Sequence, residues 1–128
     1  MTRATTHFST ISRVIVAVSD QDRAIDFYVG TLGFEKTSDT PFGDGDRWVE
    51  VSTPEGETAI ALANPPGGTP RGAMTGISLR TADVDGAHEH LRSQGVDVDE
   101  VLRMEAPVPP MFFFRDPDGN TLHVAQDG

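Results

Sequence analysis

The sequence predicts an α+β domain in which two tandem β-α-β-β-β modules build a curved mixed sheet with helices outside. Three observations carry that expectation. Val18-Ser19-Asp20-Gln21-Asp22-Arg23-Ala24-Ile25 recurs in outline as Thr81-Ala82-Asp83-Val84-Asp85-Gly86-Ala87-His88, an offset of 63 residues. Each copy follows a β-branched run and opens an amphipathic helical pattern. Each half then closes on two short strands around a glycine turn, Thr53-Pro54-Glu55-Gly56 in the first and Asp116-Pro117-Asp118-Gly119-Asn120 in the second.

In chain order, residues 13–18 read as the first strand. Ser19 or Asp20 can cap the helix that follows, acids fill its first turn, and Ile25, Tyr28, Val29 and Leu32 recur at helical spacing before Gly33 stops it. Residues 35–39, 47–52 and 58–63 read as three further strands. In the second half the strand is 76–81; Asp83 caps a helix with Val84, Ala87 and Leu91 as its apolar stripe, and Gly95 ends it. Strands at 96–102, 111–115 and 121–126 complete the copy. The Pro- and Gly-rich stretch 64–72 marks the join. The organisation expected is a tail, 1–10, and a single domain, 11–128, made of modules 11–64 and 75–126 with a linker at 65–74.

Composition bounds the function. At 128 residues the chain can bury a core without staples, and it has no cysteine, which removes disulfides, thiolate nucleophiles and thiolate metal sites together. A formal charge of −10 argues against nucleic acid or an anionic membrane as partner and suits cationic or neutral small molecules. No apolar run approaches the roughly 18 residues of a membrane span, and the first ten residues lack the apolar core of a signal peptide, so a cytoplasmic location is expected.

Neither module can bury a sheet face alone, so the two must pack together and leave a concave surface for a ligand. Strand alternation assigns the faces. Val14, Val16 and Val18 should cover the helix, turning Arg13, Ile15 and Ala17 to the cavity. By the same parity Ala59, Ala61, Thr121, His123 and Ala125 face in, as do Trp48 and Glu50 if Val49 and Val51 do not. Met111, Phe112, Phe113 and Phe114 offer soft and aromatic surface, of which only alternate members can line a pocket. His88 and His90, on the second helix, read as solvated, and the many surface acids as a solubilising face.

Residues 18–34, with Asp26-Phe27-Tyr28 and Leu32-Gly33-Phe34, together with Phe114-Arg115-Asp116-Pro117-Asp118-Gly119-Asn120, resemble the vicinal oxygen chelate superfamily, which includes glyoxalase I, extradiol dioxygenases and bleomycin resistance proteins. The resemblance covers residues 11–126 and implies the glyoxalase/bleomycin resistance fold and a homodimer with its clefts between subunits. Metal-dependent members carry His, Glu or Gln at the start of the first strand and on the last strand of each module. Those positions correspond here to Arg13, Gly76, Ala61 and His123, of which only His123 is a usual ligand, so no metal and no cofactor are expected.

The resulting expectation is a metal-independent protein that binds a small organic compound, similar to bleomycin resistance proteins that sequester a drug. Arg13, Trp48, Glu50, Met111, Phe113 and His123 are its candidate ligand-binding residues. An inward Arg13 implies an anion, a carbonyl or a structural pair with Glu50. The alternative is an enzyme of the same superfamily, either metal-free with His123 and Glu50 as acid–base groups and Arg13 stabilising an oxyanion, or using a metal site elsewhere.

Overall fold

The computed structural model describes residues 5–64 and 71–126; most of the expected linker and the first part of the tail lie outside them. The first module runs β1 (Arg13–Ala17), α1 (Gln21–Ile25), a π-helical turn (Asp26–Thr31), β2 (Glu35–Phe42), β3 (Asp46–Ser52) and β4 (Ala59–Ala63). The second runs β5 (Met74–Arg80), α2 (Val84–Ser93), β6 (Asp97–Val98), β7 (Met111–Arg115) and β8 (Thr121–Ala125). The strand orders are β1-β4-β3-β2 and β5-β8-β7-β6, the first pair in each parallel and the others antiparallel. The repeat in sequence is thus a repeat in topology. Hydrogen bonding closes two four-stranded mixed sheets, where the sequence suggested one curved sheet.

Three boundaries move, the first being β2, expected at 35–39, which runs on to Phe42. β5 begins at Met74, inside the expected linker, and the strand expected at 96–102 shrinks to β6. Beyond Val98 only the Asp99 N–H to Phe113 carbonyl bond and an isolated bridge between Leu102 and Met111 continue the pairing. Pro107, Pro109 and Pro110 in the segment that follows have no N–H to donate to a ladder.

Both helices start where the sequence places their caps: Asp20 accepts from the Arg23 N–H and Asp83 from the Gly86 N–H. The first then departs from the expected α-helix. After Ile25 it widens into π geometry, a winding rare in proteins, and closes with the Leu32 N–H on the Phe27 carbonyl at 3.0 Å. The wider turn brings adjacent Phe27 and Tyr28 onto the core together, ring centroids 5.4 Å apart, with Phe27 also 6.3 Å from Phe114 of the other module. Gly33, at φ +82°, ends it as expected.

The core is one contiguous cluster spanning both modules, in which Val16, Val49, Val51, Ile60 and Leu62 of the first sheet join Phe112, Phe114, Leu122 and Val124 of the second and both helices. A buried polar clasp crosses the same seam. The Tyr28 hydroxyl donates to Asp116 Oδ2 at 2.8 Å, and that carboxylate also accepts from the backbone N–H groups of Asp118 and Asn120 and from Asn120 Nδ2. Asn120 Nδ2 reaches the Ala17 carbonyl at 2.9 Å, and the Asp118 carboxylate accepts from the Ser19 N–H. The Arg23 guanidinium adds a bond to the Pro117 carbonyl. The turn of the second module is therefore fastened to the start of the first helix.

Burial, reinforced by the Asp116 carboxylate, raises the Tyr28 hydroxyl far above its ordinary value of 10. A group whose folded-state value is raised stabilises fully below the unfolded value and loses that contribution as pH climbs above it. Because Tyr28 is the only tyrosine, tyrosinate absorbance is expected to appear above pH 10 only together with unfolding. Absorbance rising while circular dichroism stays native would contradict the buried bond.

Candidate functional site

Alternation along the strands divides each sheet into a core face and an outer face. On β3, Val49 and Val51 are buried while Trp48 and Glu50 lie half-buried on the opposite side, as the parity argument required. On β1, Arg13 and Ile15 share that outer side, and register sets Arg13 beside Ala59, Ile15 beside Ala61, and Ala61 opposite Glu50. Ala59, Ala61 and Ala63 thus form a low strip between Arg13 and Ile15 on one flank and Trp48 and Glu50 on the other. Alanine matters here because no side chain rises beyond its Cβ.

Arg13, Trp48 and Glu50 converge on one atom. Glu50 Oε2 accepts from Arg13 Nε at 3.1 Å and from Trp48 Nε1 at 2.5 Å. A half-exposed ion pair of this kind contributes little to stability, so its value lies in fixing three side chains relative to one another.

The second trio stands on the other sheet. Phe112 and Phe114 are buried in the core, leaving Met111, Phe113 and Arg115 on the outer face of β7 beside His123 of β8. The His123 ring lies 5.0 Å from that of Phe113, its Nδ1 pairs with Ser78 Oγ at 2.7 Å, and its Nε2 meets Met111 Sδ at 3.1 Å. Both ring nitrogens are engaged, which weakens the reading of His123 as an acid–base group. Sequence reasoning missed Ser78, whose place beside His123 follows from the β5–β8 register. It also missed Arg115, held by Asp99 through two bonds of 2.9 and 3.0 Å; opposite charges sixteen residues apart gave no local signal of that pair.

One histidine of α2 is corrected, and the other gains a partner. His88 is half-buried, stacks edge-on against Phe112 at 5.2 Å and pairs with the Asp99 carbonyl. His90 Nε2 pairs with the Thr31 carbonyl at 2.9 Å, another contact across the module seam. His88 is a structural group, whereas His90 stays exposed, as expected, and hydrogen-bonds all the same.

A divalent metal does not fit the positions where the fold family holds one. Ala61 and Gly76 have no ligating atom, Arg13 presents only donors, and His123 alone remains. Among the described residues no three His, Asp or Glu side chains come together elsewhere. Two grooves follow the module seam: one of about 210 Å³ includes Phe34, Leu79, Arg80 and His90, and one of about 980 Å³ includes Val14, Ile60, Ile77 and Arg80. Neither includes any of the six candidate residues. The candidate trios lie on open sheet faces instead.

Paired β-α-β-β-β modules define the class. The chain belongs to the glyoxalase/bleomycin resistance protein/dioxygenase superfamily, whose family profile matches residues 10–124. Among solved structures it is similar to TnmS3, an antibiotic binding protein from Streptomyces sp. CB03234, at 35% identity and a TM-score of 0.83 over 97% of this chain and 100% of that one. It is similar also to a member of the same superfamily from Sphaerobacter thermophilus DSM 20745, at 36% identity and a TM-score of 0.86 over 95% of this chain and 100% of that one. YetH of Bacillus subtilis (strain 168), an uncharacterised protein, is 30% identical over 120 residues, covering 88% of this chain and 93% of its own length. No helix among the described residues is long and apolar enough to cross a membrane.

Proposed function

We propose that the protein binds a small planar or partly cationic organic compound without a metal, and so sequesters a drug or metabolite. The observation that carries this reading is the convergence of Arg13, Trp48 and Glu50 beside the alanine strip: a polar anchor and an aromatic surface around a floor of small side chains. Met111, Phe113 and His123 supply a second wall of soft and aromatic surface. Similarity to an antibiotic binding protein supports the same class of activity. Enzymatic action by His123 and Glu50 has less support, since each is already committed to internal partners.

An open sheet face cannot enclose a ligand as binding pockets do, with most of its surface buried. We therefore infer that a second copy of the chain closes the site. Supporting this, β1 and β5 stand at the ends of their sheets, and Ile11, Ile15 and Met74, on or beside them, are 75%, 57% and 61% exposed. Sedimentation at micromolar concentration is expected to give a dimer, and a monomer that still binds ligand would remove this part of the proposal.

Trp48 is the only tryptophan, so its fluorescence reports the site directly. Planar aromatic compounds are expected to quench it and to raise the melting temperature, with Trp48→Ala and Phe113→Ala weakening binding about tenfold each. A panel of such compounds that neither quenches nor stabilises would end the binding-protein reading.

A further inference from the structure

We propose that the compound taken by this site presents a carboxylate, or a pair of adjacent oxygen acceptors, at the edge of its flat ring system, and that Arg13 selects it. This takes the planar and not the cationic form of the reading above, on which it rests. The argument begins with which valences of the trio are already used. Glu50 Oε2 takes the Nε–H of Arg13 and the Nε1–H of Trp48. That leaves the two terminal nitrogens of the guanidinium, with their four N–H groups, unpartnered among the described residues.

Depth decides which member of the pair a ligand meets. The Glu50 side chain is 15% exposed and the Arg13 side chain 46%, so the carboxylate is sunk while the guanidinium stands forward. Glu50 acts as a tether: by holding Nε it limits rotation of the fork and leaves the end-on pair of terminal N–H groups for a ligand. The indole N–H being spent on Glu50, Trp48 contributes only ring surface. Ile15 adds exposed apolar area two residues along β1, and Ala59, beside Arg13 in the register, puts no obstacle in front of the fork.

Such a surface is apolar along its length and presents the forward guanidinium at one end, with the less exposed Glu50 carboxylate behind it. A planar carboxylate, or a ring with neighbouring carbonyl and hydroxyl oxygens, matches the spacing of two parallel N–H donors, whereas an ammonium would face four like-polarity hydrogens. The net charge of −10 favours cations only at long range, and the screening length of about 8 Å at physiological salt leaves the contact groups to decide.

The test uses the full-length protein and two probes that differ only at the edge, pyrene-1-carboxylate and pyren-1-ylmethylammonium, titrated against Trp48 emission. Wild type is expected to bind the carboxylate at least tenfold more tightly. Arg13→Ala is expected to lower carboxylate affinity tenfold or more while leaving the ammonium unchanged or strengthened, because Glu50 is then uncovered. Arg13→Lys should restore only part of the preference, since a point charge lacks the fork. Equal affinities in wild type, or a carboxylate affinity unmoved in Arg13→Ala, would overturn the assigned ligand class and leave the site itself standing. Quenching by neither probe would overturn the site and this inference together.

Discussion

Asp116→Ala is expected to lower stability by about 3–5 kcal/mol, at the upper end for a single substitution of a polar residue. The carboxylate is 5% exposed and accepts four hydrogen bonds, from the Tyr28 hydroxyl, the Asn120 amide side chain and the backbone N–H groups of Asp118 and Asn120. Alanine leaves those donors stranded where water has little access. Each stranded group costs about 1–3 kcal/mol, and partial relaxation of the turn keeps the total below the simple sum. The melting temperature should fall by roughly 10–20 °C for a chain of this size. Tyr28→Phe removes one of the four bonds and should cost about 1–3 kcal/mol. A thermal melt of Asp116→Ala within a few degrees of wild type would show that the clasp does not hold the modules together.

The second large effect separates the two faces of one strand. Phe114 is fully buried and contacts Phe27 across the seam, so Phe114→Ala should cost about 3–5 kcal/mol through lost transfer and the cavity left behind. Its neighbour Phe113 points the other way, half-buried against His123. Phe113→Ala should cost less than half as much stability yet weaken ligand binding, while Phe114→Ala at a temperature where it remains folded should bind nearly as wild type. Chemical denaturation and Trp48 titration on the two variants separate these outcomes. The assignment of faces fails if the effects are exchanged.

What the sequence made legible was whatever repeats or alternates locally. The matched Asp20 and Asp83 segments foretold two modules of one topology, and strand parity placed Trp48 and Glu50 on the face opposite Val49 and Val51. The Arg13–Glu50 pair, 37 residues apart, was reachable because both fell on the same predicted face. Contacts made by side chains across the seam were not reachable. Tyr28 and Asp116 lie 88 residues apart, and nothing in either local pattern names the other. The π winding was hidden too, because Ile25, Tyr28, Val29 and Leu32 fit an α-helical stripe and only packing against Phe114 rewards bringing Phe27 inward as well. His88 and His90 read as solvated for the same reason: their partners are backbone carbonyls of other segments, which no residue type announces. The separation of the strands into two sheets likewise depends on how the modules dock, and periodicity is silent on docking.

The division of each strand into a core face and an outer face has an evolutionary consequence. On β4, Ile60 and Leu62 answer to the core while Ala59, Ala61 and Ala63 answer to whatever lies against the sheet, and the two sets alternate along five residues. Selection can therefore act on one set at nearly constant fitness in the other. A lineage could exchange the exposed Arg13 for another donor without disturbing the packing that makes the chain fold. Under the proposed binding role, the ligand preference of such a scaffold drifts independently of its stability.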